Sequence, residues 1–122
     1  MIRAAILALI LLAGSAQAQT VILYARADAA HMERVRQLVG LHDEVLIDRK
    51  IQPGAPWRQV MALAITQSRT VLVLWSRRAA RSSELATEWR LAAAAGVRLV
   101  PVLLDDTPMP AELGARHAVD WR

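Results

Sequence analysis

The sequence predicts an α/β domain of the flavodoxin-like kind, a five-stranded, mostly parallel sheet in the order 2-1-3-4-5 with helices on both faces. Three observations lead there. Continuous apolar runs, TVILY at Thr20–Tyr24 and TVLVLW at Thr70–Trp75, read as strands buried on both faces. Amphipathic segments of about ten residues separate the strands, the alternation that produces parallel crossovers. The 122 residues contain no cysteine, so one hydrophobic core, without disulfides, must hold a single domain together.

The first eighteen residues stand apart. Arg3 supplies a positive start, Ala4–Ala13 an apolar stretch, and Ala16-Gln17-Ala18 a small-residue cleavage pattern before Gln19, the three-part form of a secretory signal. The apolar stretch is short for a span of about twenty residues. An uncleaved anchor over Ala4–Ala25 would consume the first strand, whereas cleavage after Ala18 leaves it whole. The expectation is export to the periplasm or beyond. The alternative is a cytoplasmic protein whose true start lies downstream.

After the Thr20–Tyr24 strand, Met32, Val35, Leu38 and Val39 recur at helical spacing within Ala29–Gly40, where Asp28 suits the helix start and Gly40 its end. Glu44–Asp48 is a second strand, closed by an acidic residue. Two prolines and Gly54 fix a loop over Arg49–Pro56. Trp57–Gln67 is a helix with Val60, Met61, Ala64 and Ile65 inward. The third strand, Thr70–Trp75, runs into a basic loop, Ser76–Arg81. The helix Ser83–Ala95 follows, with Leu85, Trp89, Ala92 and Ala93 on one stripe. Arg98–Leu104 is a fourth strand whose Pro101 implies an edge position or a local irregularity. Asp105–Ala111 is a loop, and Ala118–Trp121 a short fifth strand tucked in by its tryptophan.

In this strand order a ligand binds beyond the carboxyl ends of strands 1 and 3, which here lead into Tyr24-Ala25-Arg26 and Trp75-Ser76. Glu88, at the margin of the apolar stripe in the following helix, places a carboxylate near that crevice. Several chemistries are absent from the sequence. No G-x-G-x-x-G follows strand 1, and no phosphate-loop or nucleophile-elbow pattern occurs. Strand 3 ends in Trp75-Ser76 rather than the aspartate of a phospho-receiver. His31, His42 and His117 are scattered, so a zinc site has little support. The net charge of +4 comes from fourteen arginines and Lys50, spread along the chain apart from Arg77, Arg78 and Arg81. With no phenylalanine and one tyrosine to stack on bases, nucleic-acid binding is disfavoured.

Five pieces in order resemble a TIR (Toll/interleukin-receptor) domain of the bacterial type: VILYARAD, VLIDRKIQPGAPW, TVLVLWS, the serine-to-glutamate run Ser82–Glu88, and VRLVPVLLDD. The resemblance covers about Thr20 to Arg122. Some TIR domains cleave NAD+, and others are non-catalytic interaction modules that signal through homotypic contacts. The resemblance therefore implies an NAD+ hydrolase or cyclase with no added cofactor, NAD+ being the substrate, or else an adaptor for itself and other TIR proteins. It puts the catalytic glutamate at Glu88. It puts substrate-binding positions at Tyr24, Ala25, Arg26, Asp48, Trp57, Ser76 and Ser82, and self-association at the loop 49–56. Arg26, Arg49 and Arg77 are candidates to neutralise a pyrophosphate, and Trp57 to stack on a base. Two departures stand out. The position four before the glutamate is often tryptophan and here is Glu84, and the serine common after the first-strand tyrosine is Ala25. Glu84 and Glu88 place like charges one turn apart, which costs an isolated helix about 0.2–0.5 kcal/mol.

Overall fold

The computed structural model describes residues 19–40, 44–47 and 57–122. Residues 1–18, Asp48, residues 49–56 and the side chain of Trp57 lie outside the described residues. The elements follow in the order β1 (Gln19–Leu23), a 3-10 turn (Arg26–Asp28), α1 (Ala29–Val39), β2 (Glu44–Ile47), α2 (Trp57–Gln67), β3 (Thr70–Trp75), α3 (Arg77–Ala80), α4 (Ser83–Ala94), β4 (Arg98–Leu103), α5 (Ala111–Gly114) and β5 (Val119–Asp120). The sheet order is β2-β1-β3-β4-β5 and every pairing is parallel.

Alternation along the strands divides the core in two. Val21, Leu23, Val71, Val73 and Trp75 face α2 and α4, where Met61, Ile65, Leu85 and Trp89 meet them. Ile22, Tyr24 and Leu74 face the other way, onto Met32 and Val35 of α1, with Trp121 closing that side. Leu38 departs from its expected inward position and is 54% exposed. The buried stripe of α1 runs through Met32, Val35 and the half-buried Val39, and residue 38 lies on its flank.

Pro101 sits within β4, opposite Val73. The Trp121 amide donates to the Leu103 carbonyl at 2.9 Å, so the backbone of Leu103 points toward β5. Pro101, two residues earlier, presents its nitrogen to the same side, and β5 pairs only with Val102 and Leu103. The missing donor therefore falls where β4 is locally an edge, and no bond to β3 is lost.

Two helices end in different ways, with Gly40 capping α1 where it is expected. Gly40 ends α1 with right-handed backbone, φ −62°. The left-handed glycine is Gly96, φ 74°, just past α4, where Gly96 N donates to the Ala93 carbonyl and Val97 N to the Ala92 carbonyl, both at 3.1 Å. That pair of bonds is a Schellman motif, and it turns the chain directly into β4.

A loop at the carboxyl ends of β3 and β4 is tied down by polar bonds. The Trp75 indole nitrogen donates to the carbonyls of Thr107 and Pro108 at 3.2 Å each. The Asp105 carboxylate accepts from the amides of Thr107 at 2.9 Å and Arg77 at 3.0 Å. Hydrogen bonds from Thr107, side chain foremost, followed by those of the backbone amides, hold this carboxyl below its ordinary range. A depressed folded value stabilises the fold above the ordinary carboxyl range, about pH 4, and that contribution is lost as pH falls through the lower folded value. The urea midpoint of the wild type should therefore exceed that of Asp105→Asn by a constant margin above about pH 5 and converge with it in more acid solution. A margin that does not change with pH would show that the carboxylate's charge is irrelevant to stability.

Candidate functional site

The switch-point crevice and the cleft that Glu88 lines are two separate features: none of Tyr24, Ala25, Arg26 and Ser76 lines the cleft. The first is closed at the switch point between β1 and β3. The Ser76 hydroxyl donates to Asp28 Oδ2 at 2.5 Å and accepts from the Ala79 amide at 3.1 Å. Both residues are buried, at 4% and 8% exposure. The second bond is an N-cap, and it explains why the expected basic loop Ser76–Arg81 winds into the single turn α3. Asp28, expected to serve the dipole of α1, makes no side-chain cap there and reaches across to β3. Ser76→Ala should cost about 2–3 kcal/mol, combining a lost cap with a buried carboxylate deprived of its hydroxyl donor. Urea unfolding measures this, and an unchanged midpoint would show that the clamp adds nothing.

The second feature is a cleft of about 390 Å³ between α2 and α4. On the α2 wall Met61 and Ile65 give an apolar surface, with Arg58 beside them. The α4 wall presents Glu84, Thr87, Glu88 and Leu91. Ser82 fixes the start of that helix, its hydroxyl accepting from the Leu85 amide at 3.0 Å. Leu85, Trp89 and Ala92 anchor the helix in the core at 3%, 2% and 0% exposure. Glu88 is held beside Trp89 by this packing and is itself only 8% exposed. A largely buried carboxylate on the wall of a partly apolar cleft can act on a positive charge with less screening than in bulk water.

Of the candidate residues, Glu88 is the one that lines this cleft among the described residues. Ser82 sits at the helix start and positions it. Tyr24 lies on the α1 face of the sheet, and Ala25 packs half-buried against the core on the α2 and α4 face. Arg26 is exposed in the 3-10 turn, and Ser76 is engaged with Asp28. Asp48 and the Trp57 side chain fall outside the described residues. Asp28 and Arg58 were not singled out from the sequence. The only signal for Asp28 is an acid four residues after Tyr24, and an acid beside a helix start has a simpler explanation in the dipole.

Solved structures share this fold. The crystal structure of the TIR domain of the Toll-related receptor TRR-2 from Hydra magnipapillata aligns with TM-score 0.73 at 19% identity, over 84% of this chain and 82% of that one. A metazoan TIR-STING receptor from C. gigas aligns with TM-score 0.69 at 24% identity, over 82% of this chain but 36% of the receptor. A 2-desoxiribosyltransferase from Leishmania mexicana aligns with TM-score 0.56 at 20% identity, over 78% of this chain and 76% of that one. No curated protein matches the chain. A family model described as TIR domain matches residues 21–122, from the first strand to the last residue, and on that match the chain belongs to the TIR domain family.

Proposed function

We propose that this TIR domain, of the bacterial type, cleaves NAD+ at its nicotinamide–ribose bond, as a hydrolase or a cyclase. The observation that carries the reading is the buried Glu88 carboxylate on the wall of the α2–α4 cleft. In the reaction the bond from ribose C1′ to the ring nitrogen breaks, and its electron pair goes to the nitrogen. The pyridinium becomes neutral nicotinamide, so no general acid is needed. Positive charge develops on the ribose as in glycoside cleavage, and Glu88 stabilises it. Water then adds to C1′ and gives up a proton to the solvent, or a nucleophilic atom of the same molecule adds to C1′ instead to give a cyclic product. Ser82 keeps Glu88 in place through the helix cap. Ala25, Arg26, Asp48 and Trp57 complete the substrate contacts in this reading, and Tyr24 and Ser76 support them from within the core. Self-association through the loop 49–56 completes the pocket. A TIR frame that has an apolar cleft with a buried carboxylate, and a fold shared with an enzyme named for deoxyribosyl transfer, supports the proposal.

The test is to incubate purified protein at high concentration with NAD+ and follow free nicotinamide. Steady release is expected. Its absence leaves the other reading, an interaction module that signals by homotypic TIR contacts, and a self-association assay would then be the measurement to pursue.

A further inference from the structure

We propose that Glu84 is a specificity-determining residue of the same cleft, selecting ligands whose heterocycle carries a positive charge over neutral rings of the same shape. The inference rests on the cleft being the reaction site proposed above.

Glu84 and Glu88 line one wall, four residues apart on α4, so they share a face with about 6 Å of rise between them. Glu88 is buried, and Glu84 is exposed. Among the described residues the opposite wall contributes one cation, Arg58, and the remaining lining is hydroxyl and apolar. Among the described residues of the lining, two carboxylates stand against one guanidinium, a formal charge of minus one. The cleft lies within the size range of small-ligand sites, whose few polar groups decide which ligand is held.

The two carboxylates meet different charges during the reaction. Before cleavage the positive charge is on the heterocycle, and the outer carboxylate attracts it. As the bond breaks, that charge passes to the ribose, where Glu88 acts, and the ring becomes neutral. Glu84 then has nothing to attract, so the product is held less tightly than the substrate. Glu84 thus contributes to ground-state binding, and Glu88 to the barrier. Loss of Glu84 should raise KM without lowering kcat.

The experiment separates this from the reaction itself. The protein is titrated at low ionic strength with 1-methylnicotinamide, a cation, and with nicotinamide, its neutral counterpart, and each Kd is read from shifts of the Ile65 and Leu91 methyl signals. The cation should bind about tenfold more tightly, as one nearby carboxylate at intermediate dielectric implies. Glu84→Gln should reduce that ratio to about threefold or less, whereas Glu112→Gln, outside the cleft lining, should leave it unchanged. Equal affinities, no binding of either probe, or a ratio indifferent to Glu84→Gln would overturn the inference. A cation preference that depends on Glu84 in a protein that does not cleave NAD+ upholds the selectivity and removes the reaction. Cleavage without the preference does the reverse.

Discussion

Replacing Glu88 by glutamine is expected to lower nicotinamide release by at least about a hundredfold while leaving the helix α4 folded. Glutamine keeps the volume and hydrogen-bonding reach of the side chain but removes the negative charge. In bulk water a carboxylate attracts a cation 4 Å away by only about 1 kcal/mol, too little for an effect of this size. At 8% exposure, against a wall containing Met61 and Ile65, screening is reduced, and in the proposed reaction the charge would act on the developing oxocarbenium ion. The loss should therefore appear in kcat and in kcat/KM alike, the pattern of an interaction made only in the transition state. The check is single-turnover nicotinamide release alongside circular dichroism. Release that survives the substitution would move catalysis to another residue, and a lost helix signal would show that the variant reports on folding.

The largest effect on stability is expected at the neighbouring position. Trp89→Ala should cost about 3–5 kcal/mol, the range for deleting a buried aromatic. Trp89 is 2% exposed and is the largest of the fully buried side chains, packed with Leu85 and Ala92 under the sheet face of β1 and β3. The Arg90 guanidinium lies 4.9 Å from the Trp89 ring centroid and covers its outer side. A domain of this size has about 5–15 kcal/mol in total, so the substitution removes a large share of it and should lower Tm by roughly 15 °C or more. Because Trp89 also fixes the rotation of α4, the proposed NAD+ cleavage should fall below the melting temperature as well. Urea unfolding with a tryptophan-independent probe measures the first effect. A loss under about 1 kcal/mol, the scale of a surface substitution, would mean that the site collapses onto the cavity.

Much of the fold was legible because its signals are local. The runs at Thr20–Tyr24 and Thr70–Trp75 are apolar on both faces, and only a central strand buries both. The 3.6-residue spacing of Leu85, Trp89 and Ala92 specifies which side of α4 meets the sheet. Glu88, adjacent to Trp89, inherited its placement from that spacing. The short turn α3 was not legible, since four residues rich in arginine show no periodicity and only the Ser76 cap produces them. Leu38 was misplaced because an apolar residue on the flank of a stripe scans like one within it.

The chain's own sequence determined the order of strands and helices, the TIR character and the helix that carries Glu88, since hydrophobic period and capping are properties of near neighbours. Only the tertiary structure decided that Asp28 meets Ser76, 48 residues away, and that Tyr24 and Glu88 lie on opposite sides of the sheet. It also decided that Arg58 faces Glu84 and Glu88 across one cleft. Those relations arise when α2 and α4 pack side by side on one sheet face, and close approach between distant segments leaves no periodic trace in either of them.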